Sequence, residues 1–286
     1  MEHMDLSYVK ARLAYLGQTN GRISYTVYPP SSGREPVSPP KKYCDVPIYD
    51  CRPMAKQLRL DREGFVLLTQ DCDIGDFLDE QVVTTHYYPQ TEALLKEVTG
   101  ALAVVAFDHN VRSAVGAPKG QAGVRAPVDA VHDDYTEKSG EKRVRELLED
   151  RGQTALLHHR AALINVWRPI RGPVQDVPLA VCDARSTSLE DFVETNIDHF
   201  AENDLSRPSH SGQIYSVRYN PGHRWYYAKD MQPNEVWVFK GYDSLAGVAR
   251  FTPHTGFNNP DCPPNSYRGR ASRFAPSWFI LRREGR

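Results

Sequence analysis

The chain is 286 residues long and close to charge-neutral, with 35 lysines and arginines against 36 aspartates and glutamates and a mean hydropathy of −0.55. That length buries a substantial core in one large domain or two small ones, and the balanced, dispersed charge argues against nucleic acid as the main partner. No apolar run reaches the roughly 18 residues of a membrane span, the N-terminus lacks the apolar stretch of a signal peptide, and five cysteines (Cys44, Cys51, Cys72, Cys182, Cys262) without a C-x-x-C pair suit free thiols in a reducing cytoplasm.

In chain order, residues 22–28 (RISYTVY) predict a strand and residues 29–42, rich in proline, serine and charge, an exposed loop. Residues 64–69 (GFVLLT) predict a second strand. A helix is expected from Thr91 to Thr99, capped by Thr91, with Leu94, Leu95 and Val98 on one face. Residues 102–108 (LAVVAFD) predict a buried strand, and a Gly- and Ala-rich loop over 113–126 leads to another strand over 128–135. A helix capped by Ser139 runs to Asp150, with Val144, Leu147 and Leu148 inward. From Ala162 the pattern is mainly strands, over residues 162–170, 178–184, 213–220, 223–230, 235–243, 248–254 and 276–283, with a turn at 230–235 (DMQPNE). The one helical interruption expected there is Ser188 to Asn203, with Leu189, Phe192 and Val193 on one side.

These elements predict an α+β, mainly β chain: a sandwich or jelly-roll barrel flanked by helices. Residues 1–100 supply strands and helices packing on the barrel, and residues 101–286 form the barrel itself, with a helical insertion near 188–211.

The segment 131–136 (VHDDYT), read with Thr252-Pro253-His254, carries the chemistry. His132 and Asp134 are spaced i, i+2, so on a strand both side chains leave the same face. One more imidazole from a later strand completes a facial triad of two histidines and a carboxylate, which leaves positions on an Fe(II) ion open for cosubstrate and O2. The plain alternative for the pair is a strand end with a local hydrogen bond. His254 is preferred as the distal imidazole; His223, in G-H-R-W-Y-Y, is the rival, or a packed core histidine.

Four blocks carry a resemblance: residues 128–136 (VDAVHDDYT), 164–186 (INVWRPIRGPVQDVPLAVCDARS), 219–244 (YNPGHRWYYAKDMQPNEVWVFKGYDS) and 251–260 (FTPHTGFNNP). Together they resemble the biosynthetic hydroxylase/desaturase family that includes the AsaB-like and CmcJ-like proteins, from about Val105 to about Ser272. That family is similar in turn to the Fe(II)/2-oxoglutarate-dependent dioxygenases. The resemblance therefore implies a double-stranded β-helix (jelly-roll or cupin-like), Fe(II), 2-oxoglutarate as cosubstrate, and an oxidative role. It assigns His132, Asp134 and His254 to the metal.

Downstream, Arg268, Arg270 and Arg273 follow, and Arg270-Ala271-Ser272 makes an R-x-S. A guanidinium fork with a hydroxyl suits the far carboxylate of 2-oxoglutarate. The family more often has R-E-S-I-E-V-R where this chain reads R-A-S-R-F-A-P, so the choice among the arginines stays open, surface arginines on an edge strand being the alternative. Asn165 is assigned to the cosubstrate, and Trp167, Arg168, His223, Tyr226 and Tyr135 to the substrate. The plain readings are an aromatic core for Trp225, Tyr226 and Tyr227, and a structural ion pair for Arg168. A buried arginine needs an anionic partner, here Asp176, Asp183 or a bound carboxylate. His158 and His159 point to opposite faces of a strand and make a poor metal pair, and Cys182 is expected to be inert.

No nucleophile elbow, Walker loop or dinucleotide fingerprint is present. The reading is a cytoplasmic oxygenase that hydroxylates, desaturates or cyclises a small secondary metabolite with O2, acting through the metal triad alone, with a homodimer as the default assembly and neither nucleic acid nor membrane as partner. The alternatives are an isomerase or hydrolase on the same barrel, since such a triad also holds zinc, and a metal-free ligand-binding barrel.

Overall fold

Residues 8–16 read Y-V-K-A-R-L-A-Y-L, and their first six side chains alternate between exposed (Tyr8, Lys10, Arg12) and buried (Val9, Ala11, Leu13). That period of two makes β1 (Tyr8–Leu16) a strand, paired antiparallel with β3 (Lys41–Asp50) from Tyr8–Tyr49 to Leu16–Lys41. The computed structural model describes residues 6–72, 74–112, 124–125, 128–264 and 273–282.

The first sheet has nine strands in the order β1-β3-β12-β9-β14-β7-β11-β10-β2. Besides β1 and β3 these are β2 (Ser24–Val27), β7 (His132–Asp133), β9 (Leu179–Cys182), β10 (Phe192–His199), β11 (His210–Val217), β12 (Trp225–Tyr227) and β14 (His254–Gly256). Bridges from Ala14 to Ala130 and from Leu16 to Arg218 bring β1 back onto the chain beside β7 and β11, so this sheet curls on itself. Val9, Leu13, Tyr15, Ile48, Cys182, Val217 and Trp225 form one buried cluster within the curl.

The second sheet has six strands in the order β4-β13-β8-β15-β5-β6: β4 (Phe65–Thr69), β5 (Ala103–Arg112), β6 (Val124–Arg125), β8 (Arg160–Pro169), β13 (Glu235–Asp243) and β15 (Arg273–Arg282). All ten residues of β8 are buried, the signature of a strand covered on both faces. Between the sheets Phe65 packs edge-on against Trp237 of its own sheet, at 5.6 Å, and against Tyr226 of the other, at 5.9 Å. The opposite face of this sheet is covered by α2 (Tyr88–Thr99), which lies along β5, while α3 (Glu137–Glu149) closes one end with Val144, Leu147 and Leu148. The result is the mainly β jelly roll expected.

Several expected boundaries move. The helix placed at Thr91 starts earlier: Asp79 caps α1 (Glu80–Val82), a π-turn follows over Val83–Tyr87, and α2 continues to Gly100 in the left-handed region, leaving Thr91 buried inside it. The cap of α3 is Thr136, which accepts from the Ser139 amide; Ser139 completes a reciprocal capping box instead of starting the helix. The helix expected over Ser188–Asn203 is a short 3-10 turn (Leu189–Asp191) and then β10, because Val193, Thr195 and Ile197 pair with β11, and Asn196 to His199 also pair, in parallel, with β2. Residues 41–42, expected in a loop, begin β3, and within 248–254 only His254 is in a strand. His158 and His159 sit at the end of a 3-10 turn, not on a strand.

A buried charge cluster ties β8 to β13. Arg160 donates to both oxygens of Asp243 at 3.0 and 2.6 Å and to Asp61, and Lys240 reaches Asp61 at 2.7 Å and Asp243 at 2.6 Å. Asp243 is fully buried, so removing its carboxylate leaves two buried cations, Arg160 and Lys240, to share the single charge of Asp61. Asp243→Ala should cost about 3–5 kcal/mol of stability in urea unfolding. Burial works to raise the Asp61 pKa, but the bonds from Arg160 and Lys240 prevail and hold it well below the usual carboxylate range. A depressed pKa gives stability that is present above the unfolded value and lost below it. The urea midpoint should therefore fall as pH drops below about 4, and Asp61→Asn should flatten that dependence.

Candidate metal centre

β7 and β14 are two and three residues long, and their register pair sets His254 directly opposite His132. The two imidazoles lie 4.4 Å apart between ring centroids. His132 Nδ1 donates to the Ala130 carbonyl at 2.8 Å and His254 Nδ1 to the Thr252 carbonyl at 3.0 Å. A carbonyl only accepts, so both rings carry the proton on Nδ1 and present the Nε2 lone pair to the same point. Asp134 Oδ1 stands 3.4 Å from His132 Nε2 and Oδ2 3.7 Å from His254 Nε2. One ligand atom from each of the three residues falls within 4.8 Å of the others.

The expected strand over 128–135 shrinks to His132–Asp133, and Asp134 lies in a bend just beyond it. It still joins His132 because neighbouring groups steer it. Asn165 Nδ2, from β8, donates to Asp134 Oδ2 at 2.5 Å. At Gly241 the β13–β8 register slips by a bulge, and a Cβ there would stand 3.2 Å from the Tyr135 ring and 3.8 Å from the Asp134 Cβ. Phe239, paired with Asn165 across β13 and β8, lays its ring 4.7 Å from that of His254. Burial alone would raise the Asp134 pKa; His254, His132 and the Asn165 amide hold it far below the usual carboxylate range. Both histidines are buried, whereas the Asp134 side chain is 34% exposed, so the site opens on its carboxylate side.

Asp133, between the two ligands, is completely buried, and its Oδ1 accepts the Thr252 amide at 2.8 Å. It braces the His132 segment against the His254 segment. Burial, and then the Asp134 charge, push its pKa well up.

Other expected site residues fall elsewhere. His223 is not the distal ligand: its Nδ1 meets the Tyr15 hydroxyl at 3.3 Å and its Nε2 the Asp191 carboxylate at 3.1 Å, both inside the curled sheet. Tyr226 and Trp167 are core side chains, 8% and 5% exposed. Arg168 lies one residue out of phase with Trp167, on the helix-covered face. Among the described residues its partners are the Tyr87 hydroxyl, at 3.1 Å, the Gln70 side-chain oxygen Oε1 and the Tyr87 ring. Asp183, one expected partner, is taken by Arg185 and Arg224. Tyr135 alone of the substrate candidates borders Asp134, through the Gly241 bulge. Arg268, Arg270 and Ser272 lie outside the described residues; Arg273 opens β15 opposite Pro169 and Arg112. Asp133, Phe239 and Gly241 were not anticipated, although a lone glycine inside the strand pattern of 235–243 is a bulge signal.

Residues 7–272 match the family described as Oxidoreductase/YMDC permease-like domain. The Hydroxylase/desaturase efuI of Hormonema carpetanum is 33% identical over 228 residues, covering 74% of this chain and 76% of that protein. The Alpha-ketoglutarate-dependent dioxygenase tstK of Talaromyces stipitatus is 31% identical over 240 residues, 78% of this chain and 80% of that protein. This chain belongs to the hydroxylase/desaturase family. The fold is that of the solved iron and alpha-ketoglutarate-dependent endoperoxidase NvfI, with a TM-score of 0.83 at 23% identity over 97% of this chain and 99% of that one.

In this hydroxylase/desaturase relative, the space beside Gly241 belongs to Tyr135 and Asp134 together. Gly241→Val should drive both away from the histidines and weaken divalent-cation binding by at least about tenfold, measured by isothermal titration with Co(II).

Proposed function

We propose that this chain is an Fe(II)- and 2-oxoglutarate-dependent oxygenase that hydroxylates, desaturates or cyclises a small secondary metabolite. The observation that carries this is the meeting of two imidazole Nε2 atoms and one carboxylate, within 4.8 Å of one another, on the inner face of a jelly roll. Two nitrogens and one oxygen on one side of an ion leave the other side to reactants, the donor set of non-haem iron oxygenases. The relatives named as alpha-ketoglutarate-dependent dioxygenase and hydroxylase/desaturase support the same chemistry.

Iron bound at the triad would supply the oxidation, in which 2-oxoglutarate and O2 become succinate and CO2 while a substrate C–H bond is oxidised. The chain's own part is positioning. Ala130 and Thr252 carbonyls fix the two imidazoles, Asn165 orients Asp134, and Phe239 shields the His254 ring. For the cosubstrate we assign the segment Arg268, Arg270 and Ser272, with Arg273 next in line. Support comes from register: β15 begins opposite Pro169 of β8, four residues along from Asn165, about 13 Å. An arginine side chain and a five-carbon dicarboxylate together bridge such a span. Tyr135, beside Asp134, is the substrate contact we favour. The partners are then a small-molecule substrate and O2. A cytoplasmic location and a homodimer complete the reading. The five cysteines are free, and among the described residues no helix is long and apolar enough to cross a membrane.

Anaerobic addition of Fe(II) and 2-oxoglutarate should produce a weak visible charge-transfer band, and His132→Ala should abolish it. Succinate should form from 2-oxoglutarate in air in the wild type and not in the variant. A wild-type protein that retains iron without succinate release would point to isomerisation or hydrolysis; one that retains no iron would point to a ligand-binding barrel.

A further inference from the structure

One register pair of the second sheet reaches two of the triad residues. Asn165 and Phe239 sit side by side on β8 and β13, and each reaches a different ligand of the opposite sheet: the amide to Asp134 Oδ2, the ring to His254. Asn165 is 7% exposed on a strand buried along its whole length, so packing restricts its side chain. The chemistry of an amide suits this place. A lysine or arginine would neutralise Asp134 and compete with a cation for it, whereas asparagine donates a hydrogen bond and leaves the carboxylate its charge. Asn165 occupies one lone pair of Oδ2, which also faces His254 Nε2 at 3.7 Å, while Oδ1 faces His132 Nε2 at 3.4 Å.

We infer that Asn165 is a positioning residue that fixes the orientation of the Asp134 carboxylate toward the two imidazoles, not a cosubstrate contact. This rests on the reading of His132, Asp134 and His254 as the metal site. Asp134 lies off the end of β7 and has no strand of its own to orient it, so its geometry is supplied from the other sheet.

The test uses Co(II) as the probe, titrated into the full chain against a competing chelator and followed by its visible d–d bands, with apo-protein melting measured in parallel. Asn165→Leu keeps the branched shape at a somewhat larger volume and removes the donor; Asn165→Ser keeps a shorter donor and serves if the leucine variant does not fold. The expectation is a 10- to 100-fold rise in the Co(II) dissociation constant for leucine, a smaller one for serine, and altered d–d band intensities as Asp134 changes its mode of binding. In an Asp134→Ala background the leucine change should add nothing. Wild-type affinity and spectrum in a folded Asn165→Leu protein would overturn the inference while leaving the metal site intact. An equal loss in the Asp134→Ala background would also overturn it, since the effect would then not pass through Asp134. If the wild type itself bound no Co(II), the metal reading would fall, and this inference with it.

Discussion

The chemistry of this fold depends on one antiparallel contact, that between His132 and His254. The strands that bear them are too short to hold a register alone. They are held from outside, by Ser216 of β11 opposite His132 and by Val181 of β9 opposite His254. The Asp133 carboxylate adds a third tie by accepting the Thr252 amide. An unpaired buried carboxylate would be costly, so the tie also settles Asp133 itself. In consequence the two imidazoles meet as a rigid pair, with the same carbonyl-bonded nitrogen turned away from the site on each.

The second sheet supplies what the first lacks. The three candidate ligands come from one side of the sandwich, and the groups that orient them, Asn165, Phe239 and Gly241, come from the other. Sheets in a sandwich stand about 10 Å apart, so ligand geometry is coupled to core packing. The aromatic contact of Phe65 with Trp237 and Tyr226 sets that spacing beside the site. The charge cluster of Arg160, Lys240, Asp61 and Asp243 fixes β8 against β13 at the end closed by α3.

Much of this was legible in the chain. Residues 235–243, with Val, Trp, Val and Phe in succession, form β13 over the expected range, and residues 162–170, apolar around Asn165 and Arg168, form most of β8. The i, i+2 spacing and the resemblance together picked out His132, Asp134 and His254. What misled was local chemistry stronger than local context. Ser188 with Asp191 does make the capping box of a helix start, but only a 3-10 turn follows, because Val193, Thr195 and Ile197 gain more from pairing with β11 than from a helix. The alternation over residues 8–13 is legible in the sequence and marks β1, a strand the targeting signals of the N-terminus say nothing about. Asn165 carries a functional signal in the sequence, but its partner does not, because Asp134 lies in a bend beyond a strand of the other sheet. Arg168 was seen as needing a partner, but the Tyr87 and Gln70 that surround it come from a helix and a strand end far off in sequence.

The amino-acid order by itself determined the period of most strands, the donor types of the site and the family. Those depend on side-chain chemistry and on spacing along one chain. Which histidine stands opposite which, which oxygen of Asp134 is held, and which face Arg168 occupies were decided only by tertiary structure. Each is a question of register or of contact between strands that the chain keeps apart, and a register is set by the sum of packing over whole sheets, not by any one segment.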